Sequence, residues 1–139
     1  MKLKRTALDA LFSLVIRMID KWTCQICHKQ FGGYPAPGLE AAHCFSRSCQ
    51  TIRFELDNAM AVCTWCHKFS PNSLHNQGNE YTRKLFRKRL GVKIFNELKW
   101  KYNNPSKFPK INRDEIKIFL LAEKERIEKS GPLILGARS

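Results

Sequence analysis

The sequence predicts a small α+β protein, mostly helical, built around a metal-stapled module, and three observations carry this. Residues 24–28 (Cys-Gln-Ile-Cys-His) and 63–67 (Cys-Thr-Trp-Cys-His) place Cys24, Cys27, Cys63 and Cys66 in two matched pairs. Four thiolates so spaced suit one tetrahedral Zn²⁺, each pair closing a tight turn around the metal. Between the pairs, short apolar runs broken by Gly, Pro and Ser read as strands and loops, whereas outside them apolar residues recur at helical spacing.

Taken in order, Thr6 and Asp9 form a capping-box pattern, and Leu8, Leu11, Phe12, Val15 and Ile19 fall on one stripe of a helix over residues 6–20. That stripe covers the metal module; Leu14, Ile16 and Met18 widen the apolar surface enough for a dimer contact as well. The first knuckle sits on a short hairpin over residues 22–31, and residues 32–38 form a loop by their Gly and Pro content. A strand over residues 39–45 carries His43 to a polar loop, and residues 51–54 return as a second strand. Asp57 or Asn58 then caps a helix over residues 59–69 that holds the second knuckle and His67. Helices over 80–90, stopped by Gly91, and 93–102 follow. Asn112 and Glu115 launch a last helix to residue 129, with Ile116, Phe119, Leu120 and Ile127 toward the core.

The chain has 139 residues, 43% of them hydrophobic, enough for one domain with a real core. Its 25 Lys and Arg outnumber 12 Asp and Glu, a net charge of +13 that favours a polyanionic partner, nucleic acid first. No long uncharged apolar run supports a membrane partner. Asp9 and Arg17 interrupt the apolar part of the N-terminal stretch, which therefore reads as an amphipathic helix rather than a signal peptide, and the expected compartment is the reducing cytoplasm. There, cysteines at these spacings point to metal ligation rather than disulfides. Each knuckle also satisfies the c-type haem attachment pattern, but that belongs to exported proteins and leaves the charge and the residues between the knuckles unexplained. A closed Cys₄ shell has no open position for substrate, so the zinc is structural and any catalysis needs other residues.

Residues 39–43 (Leu-Glu-Ala-Ala-His), Ser46-Arg47, Arg53-Phe54, Asp57-Asn58 and the second knuckle together resemble the HNH, or ββα-metal, nuclease motif. Within that superfamily the chain is most similar to the phage NinG/Rap recombination endonucleases over about residues 22–128, and more distantly to the zinc-stapled junction resolvase endonuclease VII. The resemblance implies a zinc-stapled ββα-metal centre with flanking helices. It implies that His43 is the general base on the attacking water, a role suited to a neutral imidazole of ordinary pKa about 6.5. It implies that Asn58 holds the loop and orients His43; as an Asn before a helix it is equally an N-cap. His67 matches the position that binds a catalytic divalent ion, Mg²⁺ or Mn²⁺, and otherwise joins the zinc shell. The residue before the base is often a metal-binding Asp or His, and here it is Ala42. The second ligand must therefore come from Glu40, which would need a bulge to share the face of His43, or from Asn72 or His75 in the following loop.

Arg47 fits the Ser-Arg step and is the candidate contact to the scissile phosphate; Arg53 is a second DNA-binding candidate, or a cross-strand surface charge. Between residues 81 and 110 lie ten Lys or Arg and one acid, Glu97. Arg83, Lys84, Arg87, Lys88 and Arg89 crowd one helix at spacings where like charges repel without phosphates to neutralise them, which marks a DNA-binding surface. Trp100 and Tyr102 could stack on unpaired bases, with core packing the expected fate of Trp100. Cys44 is expected to be buried, and Cys49 has no role in the pattern. Four parts result: an amphipathic helix (1–21), the ββα-metal zinc module (22–76), a basic helical region (77–130) and a tail (131–139). The resemblance implies metal-dependent DNA cleavage and, by itself, branched recombination intermediates such as Holliday junctions and D-loops as substrate, with a homodimer as the unit that would cut both strands of a junction. A nicking or nonspecific duplex nuclease, and a non-catalytic zinc-stapled DNA-binding protein, are the alternatives.

Overall fold

The structure, a computed structural model, describes residues 3–131. Apart from Gly131, the expected tail lies outside them. Helix α1 (Ala7–Ile19) starts as its capping box demands: the Asp9 amide donates to Thr6 Oγ1 at 3.3 Å, and Asp9 Oδ2 accepts from the Thr6 amide at 2.7 Å. Its buried face is Asp9, Phe12, Ser13, Val15 and Ile16. The helix is thus rotated from the expected stripe, and Leu8, Leu11 and Ile19 are only half-buried. The cause is Asp9, which is pulled inward by an ion pair.

Strands β1 (Leu39–His43) and β2 (Ala59–Cys63) form a two-stranded antiparallel sheet in which Leu39 pairs with Cys63 and His43 with Ala59. The second strand is therefore not at residues 51–54, which lie in a chain of tight turns held by Ile52 and Glu55 amides on the Cys49 and Ile52 carbonyls. Nor is 59–63 helical: all five of its residues are buried. A short run apolar on every side fits a central strand as well as a helix, and tertiary burial decides between them. One edge of β2 meets β1, and the other is closed by the first knuckle and α1. The Gln25 amide donates to the Ala61 carbonyl at 2.9 Å, and the Ala61 amide donates to Asp20 Oδ2 at 2.7 Å. This knuckle is the expected hairpin, bridged at Thr23 and Gln30.

After β2 the chain makes one wide π-helical turn (Trp65–Phe69), then α2 (Leu74–Gln77), α3 (Asn79–Leu90), α4 (Val92–Asn103) and α5 (Arg113–Ser130). Gly91 ends α3 at φ +86°, a conformation that a Cβ would strain. One apolar cluster joins the sheet and knuckles to Phe86, Leu90, Phe95 and Leu98; a second joins α1 to Leu120 and Ile127 of α5. Phe119 is half exposed, as is Trp100 at 49%, which packs edge-on against Phe108 instead of entering the core. Among the described residues no helix is long and apolar enough to cross a membrane.

Arg53 is 2% exposed, and its guanidinium donates to both Asp9 carboxylate oxygens, at 3.0 and 2.6 Å. It is an internal tie between α1 and the turn before β2, not a surface contact for DNA. Burial pushes the Asp9 carboxyl up, but the hydrogen bonds from Arg53 and Thr6 overcome this and hold it at about 2. The pair's contribution is therefore complete above the ordinary value of 3.8 and is lost as pH falls through about 2. Asp9→Ala would strand a buried guanidinium, and a loss of about 3–5 kcal/mol in unfolding free energy is expected from urea titration at pH 7.

Candidate metal and histidine sites

The Sγ atoms of Cys24, Cys27, Cys63 and Cys66 all lie within 4.8 Å of one another, and those of Cys27 and Cys63 are 3.8 Å apart. A tetrahedral ion with Zn–S bonds of about 2.3 Å places its sulfurs about 3.8 Å apart, so the four can hold a metal such as zinc. Each knuckle repeats one geometry: the Cys27 amide points at Cys24 Sγ and the Cys66 amide at Cys63 Sγ, both at 3.5 Å. Amides aimed at sulfur favour the thiolate that a metal needs. Cys27 is exposed and the other three are buried. His28 is exposed and stands outside the sulfur group. Cys44 is buried, as expected, and burial pushes its thiol up to about 12, which leaves it inert.

A second constellation gathers three of the chain's four histidines. His43 ends β1, stacks on Phe12 with ring centroids 5.5 Å apart, and places Nε2 3.3 Å from the Arg53 carbonyl. That oxygen can only accept, so Nε2 carries the hydrogen and Nδ1 keeps its lone pair. Burial, against the pull of the Arg53 carbonyl and with help from the Arg47 charge, holds the imidazole down at about 4, neutral at physiological pH. The wide turn that contains Cys66 and His67 places His67 Nδ1 2.9 Å from Glu40 Oε1, and the other Glu40 oxygen accepts from Lys68 at 3.2 Å. Burial lowers the His67 imidazole below its usual value, with Glu40 opposing. The His75 ring, on α2, stands edge-on to His67 at 4.7 Å.

Two hollows, of about 330 and 410 Å³, meet at these histidines, for both are lined by His43, His67 and His75. The first also holds Glu40, Arg5, Arg47 and Lys68; the second holds Arg83 and Tyr102. The β1–β2 pairing runs without a bulge, so Glu40 and His43 alternate along β1, yet both line the first hollow. Asn72 is exposed, faces Gln77, and lines neither hollow. It is not brought to the histidines.

Asn58 is fully buried and does not cap a helix. Its Oδ1 accepts from the Phe45 amide at 2.9 Å, and its Nδ2 donates to the Phe45 and Ile52 carbonyls at 3.1 and 3.2 Å. It touches His43 only indirectly, by fixing the turn whose next carbonyl, Arg53, holds the imidazole. Arg47 lines the first hollow while donating to the Leu3 carbonyl at 2.9 Å and standing 3.8 Å from Asp9. Arg89 is not a free surface charge either: it pairs with Asp20 at 2.7 Å and donates to Gln25 at 3.1 Å. Lys84, Arg87 and Lys88 are exposed on α3.

Sequence reasoning missed Arg5, Phe12 and Lys68 as lining of the first hollow. Lys68 directly follows His67, and a basic residue beside a candidate ligand was the available signal; Phe12 was visible only as core. Comparison with known protein families, with curated proteins and with solved structures finds no match to this chain.

Proposed function

We propose that this chain is a divalent-metal-dependent DNA endonuclease of the HNH kind, stapled by a structural zinc at its four cysteines. The observation that carries the reading is the convergence of His43, His67 and His75 where two hollows of a +13 chain meet. Support also comes from the order His43, clamped loop, Asn58, strand, second knuckle, which is the order of the motif the sequence resembles. His43 takes a proton from water at Nδ1 while the Arg53 carbonyl holds the ring by Nε2. Water oxygen then attacks phosphorus and the 3′ oxygen leaves. Glu40 accepts from His67 Nδ1, which leaves Nε2 as the free donor atom, so Glu40 is a positioning residue for His67 rather than the missing ligand. His67 and His75 would hold the divalent ion, which when bound supplies positive charge against the phosphate and the leaving oxygen. Arg47 and Arg5 draw the phosphate backbone into the first hollow.

Branched recombination intermediates as substrate, and a homodimer that cuts both strands of a junction, belong to the same proposal and rest on the resemblance. Cleavage of a four-way junction, a flap and a linear duplex, each with Mg²⁺, Mn²⁺ or EDTA, tests it. Two imidazole donors are softer than Mg²⁺ prefers, so Mn²⁺ is expected to support the faster cutting. Absence of ion-dependent cutting on all three substrates overturns the enzyme reading, and equal rates on all three overturn the preference for branches.

A further inference from the structure

Among the described residues the arginines fall into two groups. Arg17, Arg47, Arg53, Arg89, Arg113 and Arg126 each donate to a protein oxygen. Arg5, Arg83 and Arg87 donate to no described residue, and of the three only Arg83 has a side-chain nitrogen, Nε, buried without an acceptor. Yet it is held in place. Its guanidinium carbon lies 4.8 Å from the centre of the Phe45 ring and 5.8 Å from that of Tyr102, two rings that stack on one another at 4.7 Å. Phe45 is 1% exposed and is the residue whose backbone Asn58 clamps, so the aromatic platform is as fixed as the loop beside His43.

A cation fixed by aromatic faces, with no protein acceptor for its donors, is prepared for an anion from outside. The place is specific: Arg83 lines the second hollow, which shares His43, His67 and His75 with the hollow that holds Arg5 and Arg47. The amino end of α3 opens into the same hollow at Gly78 and Asn79, and no side chain caps it, so its positive end adds to the field there.

We propose that Arg83, on its Phe45–Tyr102 platform, grips a backbone phosphate of the cut strand that flanks the scissile one, so that the strand crosses the histidines from the Arg47 hollow to the Arg83 hollow. This deepens the nuclease reading and rests on it for the position of the cut. It separates Arg83 from Lys84 and Lys88, which stand exposed on the same helix and attract DNA only diffusely.

The test is a phosphate scan. Four-way junctions, whose branch point fixes the register, each carry one uncharged methylphosphonate along one strand and are bound by the zinc-loaded full-length chain without added divalent ion, with affinity read by fluorescence anisotropy. For the parent chain, one position is expected to weaken binding about tenfold, and where an ion supports cleavage that position lies beside the cut. In Arg83→Gln, affinity for unmodified DNA falls by a similar factor and that position no longer matters. Arg83→Lys, which keeps the charge but not the planar stack, regains only part. Lys84→Gln lowers affinity while every position keeps its effect. Zinc content and thermal melting of each variant confirm that it is folded. If the scan of Arg83→Gln matches that of the parent, the proposal is overturned. If the scan behaves as expected and no ion supports cleavage, the phosphate site stands and the nuclease reading falls. Cleavage with an Arg83-independent scan gives the reverse.

Discussion

A Cys63→Ser chain is expected to lose its fold, and so is the parent chain stripped of metal by a strong chelator at pH 7. Cys63 is the last residue of β2, pairs with Leu39, and has its sulfur 3.8 Å from that of Cys27. One metal at the four sulfurs therefore joins the end of the sheet to the hairpin that closes the other edge of β2. Structural zinc contributes about 10–16 kcal/mol in small zinc modules, against a net stability of about 5–15 kcal/mol for an ordinary domain. Serine's hydroxyl is a poor substitute for a thiolate at such a site. The expected readouts are one zinc per parent chain, loss of helical circular dichroism on chelation, and its return on adding Zn²⁺. A metal-free chain that melts cooperatively at the parent temperature would mean that no zinc staple holds the fold.

The largest effect on activity is expected at His43. Removing a general base costs about 10²–10⁴ in rate, and because His43 contacts Phe12 and a backbone carbonyl rather than a charged partner, His43→Ala should leave DNA affinity close to that of the parent. His28→Ala, at the exposed histidine outside both sites, is the control and should cut at the parent rate. The pH profile gives an independent sign. With its imidazole held down at about 4, His43 stays unprotonated well below the ordinary value of 6.5. The acid limb of kcat/KM that it governs is therefore expected near pH 4 rather than 6.5. The same shift means that the unfolded chain binds the proton more readily between these values, so stability contributed by the neutral ring is full above 6.5 and is lost as pH falls through about 4. A wild-type cutting rate in His43→Ala would end its assignment as base.

Much of the scaffold was legible because it is written in local chemistry. Thr6 with Asp9 and Asn112 before Glu115 start helices where capping requires, and Gly91 stops one. The cysteine pairs were legible for the same reason, since ligand spacing within a tight turn is a local property. The strand at Ala59–Cys63 was not, because five consecutive buried residues erase the periodicity that separates helix from strand. The fates of Arg53 and Arg89 were hidden because their partners, Asp9 and Asp20, lie 44 and 69 residues away in the chain. A basic residue in a basic protein looks like a surface charge until its acid is found. Glu40 shows a finer failure: a bulge was expected to be needed for it to join His43, yet the pairing has none and both residues line one hollow.

The clamp at Asn58 has a consequence for variation. By tying the Phe45 backbone and the Ile52 carbonyl to one side chain, it closes the intervening stretch into a bow whose exposed members are Ser46, Ser48 and Gln50, of which Ser46 lines the second hollow. Sequence can change at those exposed positions while the imidazole of His43 keeps its seat. Descendants of this fold could thus exchange what they recognise without rebuilding the chemistry.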